Sequence, residues 1–373
     1  MRKIRNFHSR SVYLCCVFLI AGTYFYFLIF AQFAFLQMAA RAGNGVESAM
    51  PVMLSMGIAG IGSSFLTAHL LKFLSSSLML RVGFIGCACT AIIAPVLTDM
   101  IAWVADAFLI GLFLGVLTVS LASDLRSIAG RKNFALQVGF GTGLAYWLCN
   151  CPIVFAASQS LQALIAAIFC AACAIAVPRI AKQTSDEDLP SEQHIDGSAN
   201  SIFIFIAMLI AFFSLIWLDS AAFFIIQQTT GLKTQTWSDD SQLWLNGGIH
   251  LCVAIFAGLM IDRGYLRSLL VVAYLALCFG VLSLRGSTEL YVFAAPLYVA
   301  GVSIYSTALI AYPSLIGSLC QNMSRRWQAG ILYGVAGWCG SAIGIVMAQD
   351  LHEVPLWLLA VTGFIVLCTG LKD

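Results

Sequence analysis

The sequence predicts an all-α integral membrane protein whose twelve transmembrane helices form two six-helix bundles. Three observations predict it. First, hydrophobic residues make up 61% of the 373-residue chain and charged residues 10%, with a mean hydropathy of +0.93. Soluble domains hold about 45–50% and about 25%. A soluble chain of this size could neither bury so much apolar side chain nor cover itself with so few charges. Second, cutting at charges, prolines and loop residues leaves twelve apolar runs, each near the roughly 20 residues that a bilayer core requires. Third, Lys and Arg fall almost entirely on alternate loops. The composition also excludes a disordered chain. A net charge of +2 on scattered basic residues gives nucleic acid no surface to bind.

The runs are 12–38, 50–71, 80–98, 101–122, 134–156, 159–178, 202–228, 242–261, 268–284, 290–312, 329–348 and 355–371. The first follows Arg2, Lys3, Arg5 and Arg10 and carries no charge from Ser11 to Ala40. It exceeds the roughly 7–15-residue apolar core of a signal peptide, so an uncleaved first span is expected. Only Thr98-Asp99-Met100 divides the third run from the fourth. Pro296 and Pro313 are expected to bend the tenth, and Pro355 to start the twelfth. With the N-terminus inside, 16 of the 19 Lys and Arg fall on inner segments, leaving Arg41, Lys233 and Arg285 outside. The positive-inside bias therefore places both termini in the cytoplasm, in an inner (plasma) membrane. The longest loop, 179–200, carries Asp186, Glu187, Asp188, Glu192 and Asp196 and reads as a solvated acidic linker between bundles 1–178 and 201–373.

The halves repeat. Helix 5 reads Gln137-Val-Gly139-Phe-Gly-Thr-Gly143-Leu-Ala145-Tyr-Trp147, and helix 11 reads Gln328-Ala-Gly330-Ile-Leu-Tyr-Gly334-Val-Ala336-Gly-Trp338. Both fit Q-x-G-x-x-x-G-x-A-x-W, at a constant offset of 191 residues (328 less 137). The two helices hold the fifth place in each half and cross in the same direction. That is a parallel six-helix repeat about an axis along the membrane normal. Glycines four apart let helix backbones approach closely, so Gly139, Gly143, Gly330 and Gly334 are expected against neighbouring helices rather than lipid.

Between helices 8 and 9 the chain reads Gly258-Leu-Met-Ile-Asp262-Arg263-Gly264-Tyr-Leu-Arg267. With two six-helix halves, this loop resembles the G-x-x-x-D-R-x-G-R-R signature of the major facilitator superfamily; the motifs identify no subfamily. The resemblance implies alternating access by two rocking bundles. It also implies a conformational latch at Gly258, Asp262, Arg263, Gly264 and Arg267, and a central cavity lined by helices 1, 4, 7 and 10. Between helices 2 and 3, Lys72 stands roughly where the superfamily has its aspartate. Helix 5 lacks the glycine-proline signature of antiporters, which points towards uptake.

Ionisable groups inside a membrane are costly and mark functional paths. His250 lies near the midpoint of helix 8, with Asn246 one turn outward on the same face. Asp219 lies in the outer half of helix 7 and Asp106 in the outer part of helix 4. Gln32, Gln227 and Tyr305 add uncharged polar groups on the helices that the resemblance assigns to the cavity. These seven residues are the expected coupling and substrate groups, with His250 titrating near physiological pH and Asp219 as its electrostatic partner.

The resulting expectation is a secondary active transporter, not an enzyme, moving a small solute with proton coupling as one option. It would work as a monomer in the bilayer without cofactor or resident metal. No G-x-x-x-x-G-K-[ST] loop supports direct ATP drive. The alternatives are a transition-metal or siderophore-like chelate importer, for which Met50, Met53 and Met56 form a thioether stripe, a non-transporting receptor or assembly factor, and an integral membrane enzyme. Of the 13 cysteines, only Cys320 lies outside an apolar run, so they read as small hydrophobes rather than a disulfide scaffold.

Overall fold

The computed structural model describes residues 2–43, 49–129, 133–184, 200–285, 291–316 and 324–370. Most of the acidic linker, and Cys320, lie outside the described residues. Helix α1 runs Arg2–Phe25, continues through a π-helical stretch Tyr26–Ala34 and ends with Phe35–Ala42. It is followed by α2 (Ala49–Leu70), α3 (Ser76–Ile93), α4 (Met100–Ala129), α5 (Phe134–Cys149) and α6 (Gln159–Thr184). The second half holds α7 (Asn200–Gln228), α8 (Asp240–Asp262), α9 (Leu266–Leu284) and α10 (Tyr291–Ile316). Helix α11 runs Arg325–Ile331, a π-helical stretch Leu332–Cys339 and Gly340–Leu351, and α12 is Leu356–Gly370. Ten of these are long and apolar enough to cross a membrane; α5 and α12 are shorter apolar helices.

Local chemistry sets the boundaries. Ser75 caps α3, its Oγ accepting from Leu78 N at 3.4 Å. Asp239 and Gln242 form a capping box at the start of α8. The fifth run departs from the expected 134–156. Helix α5 stops at Cys149, Cys151 is extended, and Pro152–Phe155 forms a separate short helix. Proline disfavours the helical conformation in the residue before it, so the chain breaks there. Pro296 and Pro313 both lie inside α10, which runs on as one helix.

Burial is inverted relative to a soluble protein. Large apolar side chains such as Leu54, Ile101, Ile175, Phe203 and Phe364 are exposed on the outer faces of the helices, as a bilayer requires. The interior closes over small residues and aromatic rings.

The helix pairings repeat between the halves. In the first half α2 packs on α4, α3 on α4 and α6, and α1 on α5 and α6. In the second, α8 packs on α10, α9 on α10 and α12, and α7 on α11 and α12. Each pair becomes its counterpart on adding six to both helix numbers. Two contacts cross between the halves by the same rule: α5 on α8, and α11 on α2.

The repeated glycines lie on these crossing contacts. A Cβ on Gly139 would sit 2.2 Å from Ala254 O of α8, and one on Gly330 would sit 2.7 Å from Ala68 Cβ of α2. Gly143 faces Leu251 and Gly334 faces Phe65. Larger residues at the tightest of these points would force the halves apart.

Candidate functional site

The two halves meet around a cluster of polar and aromatic side chains. It reaches from the middle of α8 and α10 to the C-terminal half of α7. Asp219 of α7 is half-buried. Its Oδ1 accepts from the Tyr298 hydroxyl and its Oδ2 from the Tyr305 hydroxyl, both on α10. His250 of α8 is 4% exposed and stacks face to face on Tyr146 of α5, centroids 4.2 Å apart and planes 10° apart. Its Nδ1 lies 2.7 Å from Ser303 Oγ. Ser303 Oγ also lies 2.9 Å from Val299 O, so a hydroxyl proton directed to that carbonyl leaves Oγ to accept from Nδ1–H, with Nε2 unprotonated. The Tyr146 hydroxyl pairs with Ser306 Oγ at 3.1 Å, and Tyr24 of α1 pairs with Tyr333 of α11. These two pairs join the halves, and backbone neighbours Tyr305 and Ser306 link the Asp219 group to the His250 group.

The end of the bundle where α7 joins α8 carries a plug. A short helix, Thr230–Thr236, follows α7, and Trp237 turns inward to 5% exposure. Its indole N–H donates to Asn150 Oδ1 of the first half at 3.1 Å. Its ring meets Tyr298 edge-on at 6.0 Å and 82°, next to the ring whose hydroxyl holds Asp219. Asn246 donates to Thr236 O at 2.9 Å.

The opposite end is held by two polar contacts between the halves. Asp262, at the end of α8, accepts from Ala135 N at 3.1 Å and Leu136 N at 2.9 Å. These are the second and third residues of α5, whose preceding residue Asn133 is left-handed and makes no side-chain cap. Asp262 thus caps α5 from the other half. Gly264 turns the chain at φ +93°, a conformation that favours glycine. Arg263 is exposed. On the other crossing pair the polarity is reversed: Arg326 at the start of α11 donates from Nη1 to Leu71 O, just past the end of α2. A cation there complements the negative end of the helix.

The expected site residues therefore separate. Asp219 and Tyr305 are bonded to each other, and His250 lies in the same cluster without pairing to Asp219. Asn246 shares a helix face with His250, but its amide holds the plug. Asp106 is 4% exposed and neither carboxylate oxygen has a hydrogen-bond partner; it faces Tyr26 inside the first half. Neither amide atom of Gln227 has a partner. Gln32 sits half-buried on the π-helical stretch of α1. Met50 is exposed and Met56 buried, so the methionine stripe does not share one environment. No group of three or more His, Cys, Asp or Glu side chains is placed to hold a metal ion among the described residues.

Sequence reasoning missed Tyr146, Trp237, Asn150 and Arg326. Tyr146 did carry a signal: it stands inside the repeated glycine motif where helix 11 has Gly337.

No protein-family model matches the chain. No curated protein is detectably similar to it in sequence. Solved structures are similar in fold. The proton:xylose symporter XylE of the major facilitator superfamily, bound to 6-bromo-6-deoxy-D-glucose, aligns with a TM-score of 0.69 at 13% identity, covering 98% of this chain and 95% of that one. The E. coli fucose:proton symporter FucP aligns with a TM-score of 0.58 at 13% identity, covering 97% of each chain. Twelve apolar helices, paired identically in both halves and matched to these structures along nearly their whole length, make this chain a multi-pass membrane protein with the major facilitator fold.

Proposed function

We propose that the chain is a secondary active transporter. It carries a small solute across the inner membrane, as a monomer with both termini in the cytoplasm, by rocking two six-helix halves about the central cluster. Proton coupling runs through His250 and Asp219. The observation that carries this reading is a buried polar cluster built from both halves, with separate cross-half contacts at either end. Trp237–Asn150 closes the outer end, while Asp262–α5 and Arg326–α2 close the inner end. Alternating access needs one set to open while the other holds. The proton-coupled symporters XylE and FucP share the fold, which supports coupled uptake over an enzyme or a receptor.

His250 fits a proton carrier. A neutral imidazole is tolerated in the membrane interior, whereas an imidazolium needs a carboxylate, water or an anion to offset its desolvation. Its charge state therefore depends on which side of the site is open. The test is uptake by proteoliposomes across a solute panel, with and without an imposed pH gradient, for wild type and His250→Gln. Gradient-driven accumulation that loses its pH dependence in His250→Gln is expected. Absence of any accumulation across the panel would overturn the transporter reading.

A further inference from the structure

We infer that the solute is an organic ammonium ion, with Asp219 as its counter-ion and the rings of Tyr298, Tyr305 and Trp237 as its walls. The inference rests on the transporter reading and adds the substrate class.

Charge carries the first step. Within their apolar stretches, the helices that build the cluster hold no Lys or Arg: none occurs in 134–149 of α5, 200–228 of α7, 240–262 of α8 or 291–316 of α10. The nearest parts of α1 and α11, 13–40 and 327–351, hold none either. Among the described residues Asp219 accepts from two neutral phenol donors, and the short helix that carries Trp237 holds one lysine, the half-buried Lys233. A carboxylate offers about four lone-pair positions, so about two remain. Asp219 is half-buried, whereas the rings of Tyr298, Tyr305 and Trp237 around it are buried. An anionic solute would place a second negative charge beside it, and none of those helix stretches supplies a cation to offset either. An ammonium supplies the missing charge.

The second step is that most of the hydrogen-bonding groups around the cluster already have partners. The Trp237 N–H is given to Asn150, and the Asn150 amide is given to Tyr146 O at 2.9 Å. The Tyr146 hydroxyl is paired with Ser306 Oγ, His250 Nδ1 is paired with Ser303 Oγ, and the Asn246 amide is given to Thr236 O. A polyhydroxylated solute would have to break several of these pairs to make its own. The charge that the site presents is that of the carboxylate, with the aromatic rings beside it. A carboxylate among electron-rich rings is the chemistry that binds alkylated ammonium groups. Protonating Asp219 removes its charge, so ammonium and proton compete for the same oxygen atoms. A co-transported proton then resides on His250 Nε2.

The experiment uses the full chain in lipid nanodiscs. Binding is followed by tryptophan fluorescence, with Trp237 as the neighbouring reporter, and by thermal shift. The probes are choline, tetramethylammonium and ethylammonium; 3,3-dimethylbutan-1-ol, the uncharged isostere of choline; and xylose as a neutral polyol. At least one ammonium probe is expected to bind saturably, with its affinity falling as pH is lowered. Its uncharged analogue should bind at least about tenfold more weakly. Asp219→Asn should weaken ammonium binding about tenfold or more, and Asp219→Glu should largely restore it. Gly57→Ala on α2, where an added Cβ meets nothing within 4 Å, should retain ammonium binding and is the folded control. The inference is overturned if no ammonium probe binds better than the uncharged isostere, or if Asp219→Asn binds ammonium as wild type does. Xylose binding in place of ammonium would also overturn it while leaving the transporter reading intact. Failure of the transporter reading itself shows separately, as absence of uptake in proteoliposomes.

Discussion

Replacing Asp262 by Asn should loosen the inner end of the protein. In the wild type the carboxylate accepts two backbone hydrogen bonds, 3.1 Å from Ala135 N and 2.9 Å from Leu136 N. They lie at the positive end of a helix that makes no side-chain cap of its own. Hydrogen bonds to a charged group contribute about 1.5–3 kcal/mol, and the interaction with the helix end about 0.3–1 kcal/mol. Asparagine keeps one acceptor oxygen but loses the charge and one of the two bonds. The net loss is about 1–2 kcal/mol, which changes the ratio of closed to open inner ends about 5–30-fold. Hydrogen exchange at the Ala135 and Leu136 amides reads this directly, because both protons are held by Asp262. Their protection should fall by that factor while amides in the middle of α9 stay unchanged. Transport rate should change more than solute affinity, since Asp262 is remote from the central cluster in sequence and position on α8. Unchanged exchange at both amides in a folded Asp262→Asn protein would refute the trans-capping argument.

The other contacts give further expectations. Arg326→Met keeps the aliphatic stem but removes the donor to Leu71 O; inner-end exchange near α2 should rise. Its effect should add to that of Asp262→Asn, because the two contacts lie on different helix pairs. Gly139→Val places a side chain where a Cβ would already lie 2.2 Å from Ala254 O, so it should destabilise the closed inner end by about 1–3 kcal/mol in a thermal melt. Gly57→Ala, where a Cβ meets nothing within 4 Å, should be neutral and serves as the control. His250→Gln should leave expression and melting near wild type yet flatten the pH profile of uptake.

The fold was legible because lipid leaves the backbone few choices. Each run must satisfy its own hydrogen bonds as a helix, so run lengths and loop charges give the number and phase of spans. Local exceptions were harder to see. The break after Cys149 followed from Pro152, but the apolar run continues past it and hid the boundary. Neither π-helical stretch has a composition that sets it apart from ordinary helix. Within the site, the loop motif drew attention to Asp262, yet its partners are backbone amides 126 and 127 residues away. Arg326 carried no motif, and its partner is a carbonyl 255 residues away. Asp219 and His250 stood out as ionisable groups in apolar runs. Tyr305 was expected on a cavity helix, but which α10 hydroxyl meets Asp219 or His250 depends on helix rotation, which the sequence does not give. Helical spacing put Asn246 on the face of His250, but spacing does not fix a rotamer, and the plug carbonyl of Thr236 claims its amide.

Rocking of two halves requires that the ends respond in opposite directions. Trp237→Ala removes the indole that bridges Asn150 and Tyr298 at the outer end. Hydrogen exchange on the full chain in nanodiscs then reports both ends at once. The account predicts faster exchange across 229–238 together with slower exchange at Ala135 and Leu136, because opening the outer end shifts the population towards the inner-closed state. Faster exchange at both ends, or no change at Ala135 and Leu136, would contradict it.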